Sequence, residues 1–337
     1  MIHAIDMHCD TIMKGIFSEL QGEGPADLMK MPGMVDFERL IRGNAMAQFF
    51  AVFLPSPDGW KRRGMDEVDD WDYIERGTAI FNRSVAAHSD IVAPARNGDD
   101  IRRNWLNGKL SAVLTMEDGR AVQGKLENIK KLYDDGYRAL SIIWNNENCF
   151  AYPNAWAEED MMKGLKPFGK EAVQYMQELG IIVDTSHLNF GGFDDLCDIL
   201  KKPFVATHSN AMALSPHKRN LDDSRLKKLA AKGGCTGLNF GPEFLNEDTY
   251  GPDKTTADHN STAARLAQHA RHIANVAGVD TVAIGTDFDG IGGNLEIPSC
   301  DKMYILEAAL KKEGFTEAEI DKIGYRNVLR VMDEATK

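Results

Sequence analysis

No apolar run in the sequence approaches the roughly 20 residues that a membrane-spanning helix needs. With 43% hydrophobic and 27% charged residues, the chain reads as soluble and globular. Cysteine is sparse and unpatterned. Cys9, Cys149, Cys197, Cys235 and Cys300 are odd in number and contain no CxxC pair, which argues against a disulfide framework and fits a reducing compartment. Positive charge is in deficit, 39 Lys and Arg against 51 Asp and Glu, and the net charge of −12 disfavours nucleic acid and anionic membrane as partners. The first residues run straight into Ile2-His3-Ala4-Ile5-Asp6-Met7-His8, without the basic start and apolar core of a secretion signal. Internal repeats, linkers and low-complexity tracts are also missing. Together these absences suggest a cytoplasmic protein that acts on a small molecule.

What the sequence does have is regular alternation. Short apolar segments with strand character are expected at residues 2–8, 45–54, 111–116, 137–144, 181–186, 204–207, 235–240 and 281–286. Helix-patterned stretches fall between them at 36–43, 71–88, 128–133, 170–179, 193–200, 222–231 and 262–276, with further helices at 304–312 and 316–333. Gly180 stands at a helix C-cap position, and Asp135-Gly136 and Gly233-Gly234 turn the chain. Eight strands alternating with helices predict a single α/β domain over residues 1–337, a (β/α)8 TIM barrel, with the helices in 302–337 packing on the barrel. A doubly wound open sheet is the alternative.

In such a barrel the strand ends line the C-terminal mouth, where active sites are built. His8 and Asp10 close the first strand, Glu117 the third, His187 the fifth, His208 the sixth and Asp287 the eighth. In a strand of period two, His8 and Asp10 share one face while Cys9 points away, so taken alone the pair reads equally as half of a metal site or as a satisfied polar pair at a strand end. A lone histidine is usually ordinary; six coordinating groups converging on one rim favour a metal centre. Asp6 lies one layer below His8 and reads equally as a partner of that centre or as a buried structural acid. His3, His88, His259, His269 and His272 are assigned to structure or solvent. Histidines from two strands, a His and Asp from another, and a Glu able to bridge suggest two ions. Ions about 3.5–4 Å apart share a hydroxide, whose parent water has a pKa of about 7, and polarise a carbonyl. Asp287 would accept the proton and pass it to a leaving nitrogen.

These residues, in this order, resemble the membrane (renal) dipeptidase family, peptidase family M19, within the amidohydrolase superfamily. His8-Cys9-Asp10-Thr11 is similar to its opening HxD motif, Met116-Glu117-Asp118-Gly119 to its bridging-Glu segment and Asp184-Thr185-Ser186-His187 to its D-x-S-H motif. Thr207-His208-Ser209-Asn210, with Arg219-Asn220 further on, resembles SHS…RN, and Ile284-Gly285-Thr286-Asp287-Phe288-Asp289-Gly290 is nearly IGSDFDG. The resemblance implies a binuclear zinc dipeptidase, other divalent metals fitting the same donors, that tolerates D residues at the C-terminal position. It implies that His8 and Asp10 bind one zinc, that His187 and His208 bind the other, and that Glu117 bridges them. Asp287 would transfer the proton, Arg219 would hold the C-terminal carboxylate of a dipeptide through its planar fork, and the chain would form a homodimer. Where animal members carry a substrate-contacting histidine, this chain has Trp144. Trp144 or Asn145 would donate to the developing oxyanion or wall the pocket.

Three rivals stand beside this reading. A deacylase or cyclic amidase acting on N-acyl amino acids or related small amides would keep every metal ligand. A phosphate-handling barrel could use Gly290, Gly292 and Gly293 as an anion nest, against the repulsion of Asp287 and Asp289. A non-catalytic peptide binder would have no use for the intact set of ionisable groups.

Overall fold

The first strand, β1 (Ala4–Asp6), is hydrogen-bonded on both sides to parallel neighbours, and following those neighbours round the sheet leads back to it. In order they are β2 (Ala45–Phe53), β3 (Leu110–Glu117), β4 (Ala139–Ser141), β5 (Ile182–Asp184), β6 (Val205–Ala206), β7 (Cys235–Leu238) and β8 (Val282–Ile284). The register runs through Asp6↔Gln48, Phe53↔Glu117, Glu117↔Ser141, Ser141↔Asp184, Asp184↔Val205, Ala206↔Thr236 and Leu238↔Ile284, and Ile284↔Asp6 closes the ring. This computed structural model describes residues 2–247 and 260–337, so His259 lies outside the described residues. The architecture is the expected (β/α)8 barrel.

Two apolar clusters hold the barrel together. The inner one takes side chains from all eight strands, among them Ile5, Phe49, Val113, Ala139, Ile182, Val205, Cys235 and Ala283. Val328, Leu329, Val331 and Met332 of the last helix, Asn327–Ala335, join it, so this helix packs against the barrel's inner core. The outer cluster lies between strands and helices and includes Phe50, Val52, Leu114, Leu140, Val183 and Ile284. Alternate residues of β2 and β3 therefore serve the two clusters, as the two-residue period of a strand requires, and both strands are buried throughout.

Several elements differ from the expectations. The first and fourth strands are three residues each, so His8 lies two residues, and Trp144 three, beyond its strand. The helix Thr11–Leu20, the accessory strand Val92–Pro94 paired with the start of β3, and the helix Gly98–Leu106 were not anticipated. The expected helix at 316–333 is instead Glu317–Asp321, a π-helical turn at Lys322–Arg326, and then Asn327–Ala335. Thr316 opens it with a reciprocal capping box to Glu319.

Candidate metal centre and substrate cavity

Beyond Asp6 the chain threads between β2 and the segment that follows β8. Ala51 N donates to Cys9 O at 3.0 Å, Asp287 N to His8 O at 3.2 Å, and Asp10 N to Phe288 O at 2.9 Å. These bonds set the His8–Asp10 segment beside Asp287. Asp6 anchors it from below, accepting from Thr286 N at 2.9 Å, Thr286 Oγ1 at 2.7 Å and His8 N at 3.3 Å. Asp6 is thus a buried structural acid that ties β1 to the end of β8, and it engages the His8 backbone. Cys9 turns outward, its Sγ 3.5 Å from Phe49 O.

Four other expected residues meet this segment. Nε2 of His8 lies 3.3 Å from Oε2 of Glu117 and 3.6 Å from Oδ1 of Asp10. The other oxygen of Glu117, Oε1, is 3.0 Å from Nε2 of His187 and 3.7 Å from Nε2 of His208. The two latter nitrogens are 3.2 Å apart. Two groups of potential ligand atoms each fall within 4.8 Å: His8, Glu117 and His208, and His8, Asp10 and Asp287. His8, Asp10, Glu117, His187 and His208 are all buried, and Asp287 is partly open to a cavity.

Two of these atoms lack partners. Nε2 of His8 and Oδ1 of Asp10 are buried with no hydrogen bond, a costly state unless something occupies the space between them. Asp10 also occupies the N-cap position of Thr11–Leu20, where a carboxylate normally accepts a backbone N–H; here it makes no such bond and faces the cluster. Imidazole and carboxylate donors of this kind suit zinc and similar divalent cations. The residues therefore fit a metal centre.

The electrostatics agree. Burial opposes a charge on His8, but Glu117 and Asp10 outweigh it and hold the imidazole well above its ordinary range. Burial, with Arg219 adding to it, keeps His187 neutral, and burial beside His8 does the same for His208. Burial pushes Glu117 up to about 7 and Asp287 up to about 8, against the pull of His8 on each. Neutral imidazoles with carboxyls that titrate near pH 7 are ready to exchange protons for a cation.

Around the histidines a further layer fixes orientation. Oδ1 of Asn145 is 3.0 Å from Nδ1 of His187, and Oγ1 of Thr207 is 2.8 Å from Nδ1 of His208. Thr207 Oγ1 in turn donates to Asp184 Oδ2 at 2.6 Å, and Asp184 Oδ1 accepts from Ser186 N at 2.9 Å and Thr207 N at 2.8 Å. Ser141 also donates to Asp184. Each imidazole is thereby held with Nδ1 protonated and Nε2 turned to the cluster. His187 and Asp287 sit at φ 70° and 61°, a left-handed conformation rarely adopted without glycine, and such strain concentrates at functional sites. Gly290 packs where any side chain would collide with Asp10 and Asp287, so this glycine serves close approach to the carboxylates; an anion nest at this place would face those same acids.

A cavity of about 290 Å³ opens over the cluster, lined by Asp10, Glu117, His187, Asp287, Arg219, Trp144 and Asn145 among others. Arg219 is buried, its guanidinium 5.5 Å from the Phe244 ring, and its Nε and Nη1 have no hydrogen-bond partner. Trp144 packs edge-on against Phe53 at 4.8 Å and forms part of the wall. Asn145 lines the cavity too, but its side-chain oxygen is engaged by His187. Asn239 was missed: its Nδ2 donates to Asp287 Oδ2 at 2.8 Å. The signal that could have found it is its position just past β7, the same strand-end rule that located the histidines. Arg62 and Arg63, also lining the cavity, carried no comparable signal.

Partnerless histidine and carboxylate atoms at the C-terminal mouth of a closed parallel barrel put the chain in the class of metal-dependent barrel hydrolases. The model of one family, the membrane dipeptidases of peptidase family M19, matches residues 1–337, and the chain belongs to that family. It is accordingly a metallo-dipeptidase, a hydrolase of peptide bonds. A dipeptidase of Claviceps purpurea (strain 20.1), dipeptidase tcpJ, is 28% identical over 90% of this chain and 70% of its own length. Among solved structures, the M19 metallopeptidase dipeptidase AC superimposes with a TM-score of 0.86 at 25% identity, covering 99% of both chains. A metallopeptidase from Rhodobacter sphaeroides, liganded with a phosphinate mimic of L-Ala-D-Ala, gives 0.85 at 24% identity, again over 99% of both chains.

Proposed function

We propose that the protein is a binuclear zinc dipeptidase that accepts a D residue at the C-terminal position. The observation that carries this reading is the division of Glu117, one oxygen toward His8 and the other toward His187 and His208. His8 and Asp10 would hold one ion, His187 and His208 the other, with Glu117 common to both. When bound, such a pair polarises the scissile carbonyl and lowers the pKa of a water to about 7.

The chain's own residues supply the rest. Asp287 accepts a proton from the attacking water and returns it to the leaving amine; Asn239 holds one of its oxygens, leaving Oδ1 for the proton. Arg219 binds the terminal carboxylate, since its buried Nε and Nη1 have no partner and a carboxylate suits the guanidinium fork. Asn145 orients His187, and Trp144 walls the cavity against Phe53. The Rhodobacter ligand, a mimic of L-Ala-D-Ala, supports tolerance of a D residue in a cavity of this kind.

Metal analysis and a substrate panel on one purified sample test the reading. We expect two zinc ions per chain, loss of activity with chelator, and turnover of L-Ala-L-Ala and L-Ala-D-Ala but not of N-acetyl-alanine. Chelator-insensitive activity without bound metal would sink it, and preference for the N-acetylated compound would point to the deacylase.

A further inference from the structure

Arg62 and Arg63 line the same cavity as Arg219, at the end of the helix Pro57–Arg62 that follows β2. Arg219 follows β6. In a ring of eight strands, β2 and β6 lie opposite each other, so the segments that carry these arginines into the shared cavity leave the barrel on opposite sides of its mouth.

The two arginines are placed differently. Arg63 is braced, donating to Gly59 O at 3.0 Å, reaching Met13 Sδ at 3.6 Å and lying 4.7 Å from the Phe17 ring. Both side chains are exposed, and Arg62 makes no hydrogen bond or ion pair with any described residue. Acids do stand nearby. Asp58, Glu67, Asp69 and Asp70 line an adjoining cavity shared with Arg62, but Asp70 is paired with Arg120 at 2.7 Å and Asp69 caps the helix Asp70–Ala87. Met13, Phe53, Pro55 and Ile291 add apolar surface to the same lining, beside the polar Ser56 and Glu243. Two cations beside apolar surface favour a side chain with an aliphatic stem and an anionic tip.

We propose that Arg62 and Arg63 form an anion subsite that selects dipeptides with an acidic N-terminal residue, Glu or Asp. The assignment rests on the dipeptidase reading: with the C-terminal carboxylate on Arg219 and the scissile carbonyl over the cluster, the N-terminal side chain extends toward the β2 side. The carboxylate is met by Arg62 and by the braced Arg63 beside it.

The test is kcat/KM for Glu-Ala, Gln-Ala, Lys-Ala and Ala-Ala. In the wild type, Glu-Ala should exceed its isosteric neutral counterpart Gln-Ala by about fivefold to tenfold, the discount reflecting a partly solvated contact. Raising ionic strength should shrink that ratio. The Arg62→Gln, Arg63→Gln double variant should bring it close to one, and because the ratio is internal, any general loss of folded enzyme cancels. Should that variant not fold, Arg62→Glu alters a single exposed side chain that has no hydrogen bond to lose, and should raise Lys-Ala over Glu-Ala. A wild-type ratio near one, or a ratio unmoved by these substitutions, overturns the subsite while leaving the dipeptidase intact. No turnover of any of the four peptides overturns the dipeptidase reading and the subsite with it.

Discussion

The side-chain oxygen of Asn145 lies 3.0 Å from Nδ1 of His187, so the residue expected to donate to substrate through its amide also accepts from a histidine of the cluster. Nε2 of that histidine then faces Oε1 of Glu117 at 3.0 Å. A hydrogen bond of this kind selects the tautomer that can bind a cation, and its loss typically costs ten- to hundredfold in affinity.

Asn145→Ala should therefore weaken zinc binding by about tenfold. Competition with a chromophoric chelator reads this directly. Unchanged metal affinity with reduced kcat would return Asn145 to a role at the substrate.

Thr207 offers a sharper comparison, because its hydroxyl joins Asp184 to His208. Thr207→Val keeps the shape and deletes the link, and should lower zinc affinity by about ten- to hundredfold; Thr207→Ser should restore most of it. If Val and Ser bind zinc equally, the contact has no part in holding His208.

On the proposed two-ion arrangement, removing His8 should affect the ions unequally. Nε2 of His8 approaches Asp10 and one oxygen of Glu117, whereas His187 and His208 share the other. Titration of His8→Ala should show one strongly weakened equivalent of zinc and one nearly retained. Equal weakening of both would argue for ions divided differently among these ligands.

Zinc uptake should be steeply pH-dependent. Without metal, His8 is held protonated above its ordinary range and Glu117 is pushed up to about 7. Each must lose its proton to ligate, so the metal-free form is favoured as pH falls and apparent affinity increases as pH rises. Below about pH 7 the change should approach one to two powers of ten per pH unit, for one or two protons displaced. Calorimetry in buffers of different ionisation enthalpy counts those protons, and a value of zero would contradict the arrangement.

Much of the fold was legible because strand and helix periods are local. The apolar runs of β2 and β3 mark strands buried on both faces, and the helix at 263–277 shows its apolar stripe in the sequence. The accessory strand Val92–Pro94 escaped notice because it is short and ends on a proline, which reads as a break rather than a strand. Thr11–Leu20 was missed for another reason: its N-cap residue, Asp10, makes no capping bond and had already been read as a metal ligand.

The site divides along the same line. His8, Asp10, Glu117, His187, His208 and Asp287 could be named from sequence, since the end of each barrel strand must reach the common mouth. What depends on side-chain direction and on pairing between distant segments could not. The division of Glu117 between two sets of histidines, the hold of Asn145 on His187 and of Asn239 on Asp287, and the meeting of Arg62 with Arg219 in one cavity follow from barrel closure. Closure brings together residues far apart in the chain, and no local pattern records which of their atoms will face each other.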